Sequence, residues 1–124
     1  REGIKSVFEL MIKERKVIRV IGATGKAMKD LKHYFPQWHR RRKELHIPVK
    51  VLCNAEGRAQ TARIPLAEVR RMPKGFDTPA TVFIFGSHVA TLYYGDMPFA
   101  FLMRSQEIAE SYEKYFRMFW EHKE

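Results

Sequence analysis

Two short apolar runs rich in β-branched residues flank a strongly basic segment between residues 17 and 53, and their order limits what the chain can fold into. Val17-Ile18-Arg19-Val20-Ile21 has the composition of a buried strand. Gly22-Ala23-Thr24-Gly25 follows as a tight turn into a helix starting near Lys26. Pro36 removes an amide donor and crowds the preceding turn, so the helix is expected to be interrupted there and to continue from Gln37 to Leu45. Val49 to Cys53 reads as a second strand. The order strand, helix, strand calls for a right-handed parallel crossover.

The flanking elements follow the same logic. Ile4, Val7, Phe8, Met11 and Ile12 recur at helical spacing and predict an amphipathic helix over 3–14. Residues 55–63 read as a short helix or loop, and Glu68 to Met72 as a strand closed by Pro73 and Gly75. Ala80–Phe85 and His88–Tyr94 form a hairpin across Gly86-Ser87. A turn at Gly95–Pro98 leads to a last strand, Phe99 to Met103. Ser105 is a good N-cap for the closing helix, with Glu107 in its first turn. Ile108, Tyr112, Tyr115, Phe116, Phe119 and Trp120 line one face of that helix, the strongest periodic signal in the chain.

At 124 residues and 45% hydrophobic, the chain suits one domain with a core of its own. No apolar run approaches the roughly 18 residues needed to cross a bilayer, and the polar, amphipathic start does not read as a signal peptide. The lone Cys53 ends an apolar strand, so a buried thiol and a cytoplasmic protein are the plain reading. The net charge is +9. Residues 26–50 hold eight basic residues against Asp30 and Glu44, whereas residues 105–124 hold three against five acidic ones. Charge so localised invites nucleic acid, an anionic ligand or an acidic partner.

Each candidate motif has a plain structural alternative. Gly22-Ala23-Thr24-Gly25-Lys26 places amides and a lysine at a helix start, which suits an anion. Its spacing fits neither the P-loop nor the dinucleotide fingerprint, and a simple tight turn explains it as well. His39-Arg40-Arg41-Arg42-Lys43 is the densest charge run. Its arginines suit phosphate, and Tyr34, Phe35 and Trp38 could stack on a base or a sugar. Equally, the run is a solvated helix face with core aromatics. Its mutual repulsion calls for a counter-charge, which the acidic last helix of a second subunit could supply. The five histidines form no ligand-spaced set, so no metal is expected. No nucleophile elbow occurs, and His88 at the hairpin tip is expected to be exposed. The stripe on the last helix is core packing or, for Tyr112, Tyr115, Phe119 and Trp120, a dimer contact.

By position, the hairpin from Ala80 to Ala90 resembles the place where phospholipase D enzymes carry His-x-Lys-x4-Asp. Ala80, Val82 and Ser87 stand where that signature needs His, Lys and Asp. Three ordered stretches are, together, similar to the TrmB-like family of archaeal transcriptional regulators. They are Tyr34-Phe35-Pro36-Gln37-Trp38-His39-Arg40-Arg41-Arg42 leading into the 47–53 strand, Phe76 to Gly86, and Pro98 to Arg104 followed by Tyr115 to Trp120. The resemblance implies a phospholipase-D-like α/β domain, a mixed sheet flanked by helices, following an upstream winged-helix DNA-binding domain that is expected before Arg1. It further implies a cytoplasmic homodimer without catalysis or cofactor. The expected function is effector sensing and dimerisation in a transcriptional regulator, with Thr24, Lys26, Arg40, Arg41 and Arg42 contacting a polar or anionic effector or the partner subunit. The alternative is direct nucleic-acid binding through 26–50.

Overall fold

The computed structural model describes residues 2–61 and 63–122. Helix α1 (Glu2–Glu14) buries Ile4, Val7, Phe8 and Met11 along one face. It is followed by β1 (Ile18–Ala23), α2 (Lys26–Asp30), α3 (Phe35–Glu44), β2 (Val49–Cys53), a 3-10 turn at Ala55–Gly57, α4 (Arg58–Thr61) and β3 (Ala67–Arg71). The hairpin β4 (Thr81–Phe85) and β5 (His88–Tyr93), the strand β6 (Phe99–Arg104) and α5 (Gln106–Trp120) complete the chain. The Ser105 hydroxyl accepts from the Ile108 amide at 3.2 Å and caps α5.

The six strands form one mixed sheet in the order β3-β2-β1-β4-β5-β6. Strands β1, β2 and β3 run parallel, as a strand–helix–strand order demands, and β4, β5 and β6 join antiparallel. The architecture is therefore α/β, a mixed sheet flanked by helices.

Alternation divides the core. Ile18, Val20, Val49, Val51, Phe83 and Leu92 point to the face covered by α1, α2 and α3. Ile21, Leu52, Ile84 and Val89 point to the face covered by Ala109, Phe116 and Trp120 of α5. The central strands are apolar on both sides because both sides are covered.

Pro36 does not break the basic helix. The break lies at 31–34, and Pro36 sits in the first turn of α3, where a missing amide costs no hydrogen bond. Gly22, at φ +80°, lies at the irregularity between Ile21 and Ala23 in the β1–β2 register. A Cβ there would meet the Thr78 hydroxyl at 2.7 Å, so glycine is needed both for conformation and for space.

His88 is buried rather than exposed. Its ring stacks on Phe85, with centroids 5.1 Å apart. Cys53 is a buried free thiol. Among the described residues, no helix is long and apolar enough to cross a membrane.

Candidate ligand site beside the parallel strands

In an open sheet, ligands gather at the carboxyl ends of parallel strands, where the following loops leave a crevice. A cavity of about 60 Å³ runs along the sheet face from Ile18 and Val49, at the amino ends of β1 and β2, to Thr24 and Gly25 just past the carboxyl end of β1, with α2, α3 and α4 on its other side. Its walls are mainly apolar, with Ile18, Val20, Trp38, Val51 and Phe83 prominent. Thr24, His39, Thr61, Thr81 and Tyr94 supply the polar side chains, and among the described residues no acidic residue, lysine or arginine lines it.

The threonines are already engaged. The Thr24 hydroxyl accepts from the Lys26 amide at 3.2 Å, Thr81 donates to the Gly22 carbonyl at 3.0 Å, and Thr61 donates to the Gly57 carbonyl at 2.9 Å. His39 Nε2 and the Tyr94 hydroxyl, both on buried residues, have no hydrogen-bond partner among the described residues. Burial, with some help from the Asp30 charge, raises the Tyr94 pKa well above its ordinary value, so the phenol stays protonated.

The protonation of His39 follows from its neighbour. Arg42 Nε and one terminal nitrogen lie 3.3 and 3.2 Å from His39 Nδ1. A guanidinium only donates, so Nδ1 must be the acceptor. The ring proton therefore sits on Nε2, a donor with no acceptor. Burial, reinforced by the Arg42 charge, pushes the His39 pKa down to about 3, so the ring is neutral.

Arg42 itself is fully buried. It donates to the Ile47 carbonyl at 2.6 Å and to the Pro65 carbonyl, tying the end of α3 to the loops before β2 and β3. Burial lowers its pKa to about 10, which still leaves it charged at neutral pH. The carboxyl end of a helix is a favourable place for that charge.

The three adjacent arginines thus diverge, because successive helical residues point about 100° apart. Arg42 turns inward and is structural. Arg41 pairs with Glu9 of α1, which also accepts from the Tyr34 hydroxyl. That arrangement holds the Glu9 carboxyl below its ordinary range, chiefly through Arg41. The counter-charge of Arg41 therefore comes from its own chain. Arg41 keeps part of its side chain in solvent beside Glu9, and Arg40 is the most exposed of the three. Arg40 lines an outer groove of about 400 Å³ with Lys43, Arg63 and Pro36, and Met28, His39 and Ile64 belong both to that groove and to the cavity. Lys26 is exposed and borders a different hollow with Lys29 and Glu56. Thr24, Gly25 and Met28 belong both to that hollow and to the cavity, so Thr24, Lys26 and Arg40 all lie on walls of adjoining spaces, whereas Arg41 is turned toward Glu9.

Phe35 and Trp38 are core residues, stacked at 5.4 Å, with the Trp38 indole donating to the Phe8 carbonyl at 2.7 Å. They are not free to stack on a base. On α5, Trp120 is buried, with the Arg70 guanidinium over its ring at 4.3 Å and donating to its carbonyl at 2.6 Å. Tyr112 and Phe119 pack partly against the sheet, and of the four residues expected at a dimer contact only Tyr115 is exposed. Periodicity could not separate those roles. Met28, Arg63 and Tyr94 carry no motif in the sequence, although alternation along β5 puts Tyr94 on the face of Ala90 and Leu92.

Among the described residues, no group of three or more His, Cys, Asp or Glu side chains is placed to hold a metal. No family model matches the chain, and a search of curated proteins returned no match.

Proposed function

We propose that this domain is a non-catalytic effector-sensing and dimerisation module of a transcriptional regulator of the TrmB-like kind. The observation that carries this reading is the chemistry of the β4–β5 hairpin. Where a phosphodiesterase of that pattern needs a nucleophile, an anion clamp and an orienting carboxylate, the chain has Ala80, Val82 and Ser87. Val82 packs against the α5-side core, and the Ser87 carbonyl accepts from the Ser105 amide at 2.8 Å. The cavity offers no substitute machinery. Its histidine, with a pKa of about 3, is too weak a base to activate water at neutral pH.

The dimerisation half of the reading is supported by the β6 edge. Phe99 and Phe101 are more than half exposed and lie opposite Tyr93 and Thr91, on the face where Tyr115 also remains uncovered. An apolar edge strand of this kind is usually covered. In such a regulator, DNA contact belongs to a separate winged-helix domain, and the effector acts by shifting the geometry of the dimer.

Sedimentation velocity over a range of concentrations, with a thermal-shift screen of metabolites, tests the proposal. A dimer stabilised by one class of metabolite is expected. A chain that stays monomeric at high concentration and that no metabolite stabilises would overturn it. A second reading, direct DNA binding, draws on the exposed Lys26, Lys29, Lys32, Arg40 and Lys43. It requires duplex affinity that persists at physiological salt and a salt slope that falls when those residues are neutralised.

A further inference from the structure

The cavity and the outer groove differ in chemistry but share a wall. Met28, His39 and Ile64 border both. Outside that wall, Arg40, Lys43 and Arg63 are exposed, and among the described residues no acidic side chain lines the groove. Inside it the lining is mainly apolar, with three engaged threonines and the Tyr94 hydroxyl, and among the described residues it holds no Asp, Glu, Lys or Arg. On the wall itself, His39 is more than nine-tenths buried and carries an Nε2–H without an acceptor.

We propose that the two spaces form one binding site for a short aliphatic carboxylate. Its head lies among Arg40, Lys43 and Arg63 and accepts from His39 Nε2. Its tail enters the cavity between Trp38, Ile18 and Phe83. The assignment rests on the sensing reading and names the ligand class for it.

Each part of the ligand answers one feature of the site. A buried donor without an acceptor is costly, and a carboxylate oxygen removes that cost. Three cations with no acidic residue among them favour an anion over a neutral head. The cavity is far too small for a sugar ring or a nucleotide, and its mainly apolar walls favour a hydrocarbon tail over a run of hydroxyls. Volume limits the tail. About 60 Å³ is roughly the share of two water molecules and well below the ~150 Å³ that admits benzene. Met28, an unbranched and adaptable side chain, forms the part of the wall most easily displaced by an entering tail.

The test is isothermal titration of the chain with straight-chain carboxylates from acetate to octanoate, beside the matched primary alcohols. Affinity should rise about fourfold for each added methylene that enters the cavity, then stop rising once the cavity is full. The alcohols should bind more weakly at every length. A double variant, Arg40→Ala with Lys43→Ala, changes two exposed residues and should weaken every carboxylate by one common factor, up to about fivefold per residue removed. Affinity independent of chain length, alcohols that match the acids, or an unaffected double variant would each overturn the proposal. Sedimentation of the same samples separates the two claims. A dimer indifferent to all carboxylates overturns the ligand class alone, whereas a monomer that binds them by the expected rule retains the site and overturns the dimerisation reading.

Discussion

His39 should make the fold acid-sensitive in a way that a single substitution removes. Its folded-state pKa is held at about 3, against about 6.5 in an unfolded chain. Between those values the unfolded chain binds a proton that the folded chain refuses. Stability therefore rises with pH across this window and is lost on acidification. At about pH 4.5, some two units below the unfolded value, the loss is about 3 kcal/mol, at about 1.4 kcal/mol per unit. That is a large share of the roughly 5–15 kcal/mol typical of a domain. His39→Asn keeps an acceptor near the Nδ1 position for Arg42 and has no proton to take up. Urea unfolding followed by tryptophan fluorescence, at pH 7 and about pH 4.5, measures both proteins. Carboxylates such as Glu9 titrate in both and cancel in the difference. The wild type should lose about 3 kcal/mol more than the variant on going to the lower pH. A difference between the two proteins that does not change with pH would refute the claim that the fold holds His39 neutral.

Other substitutions test the remaining assignments. Arg42→Met leaves the Ile47 and Pro65 carbonyls without their donor and should cost about 3 kcal/mol in chemical denaturation; a loss below about 0.5 kcal/mol would mean that Arg42 does not hold α3 to those loops. Trp120→Ala should lower unfolding stability by about 3–5 kcal/mol at protein concentrations where the chain is monomeric, while Tyr115→Ala should stay within about 0.5 kcal/mol under those conditions. Gly57→Ala should destabilise by about 1–3 kcal/mol, since a Cβ there would stand 2.5 Å from the Ala23 carbonyl oxygen; thermal melting reads that loss directly. Ser105→Ala should cost about 1 kcal/mol by removing the α5 cap, measured by the same melts.

Local chemistry determined most of the scaffold. β-branched runs are stiff and fit a pleated, covered surface, so Val17–Ile21 and Val49–Cys53 could be read as strands, and the basic helical segment between them required those strands to be parallel. Apolar spacing in 3–14 and 105–120 likewise marked helices that must bury one face. The candidate site was legible only in pieces. Thr24 and Arg40 were found because a turn and a charge run are local patterns. What each arginine does depends on direction around α3 and on what α1 and the loops bring near it. Arg41 meets Glu9 from 32 residues away, and Arg42 meets carbonyls before β2 and β3. Tertiary packing also turned His39 from one histidine among five into a neutral donor without an acceptor, because only packing brings Arg42 against one ring nitrogen and strips water from the other. A linear pattern records which groups a chain owns; their protonation and their partners are set by the dielectric and the neighbours that folding supplies.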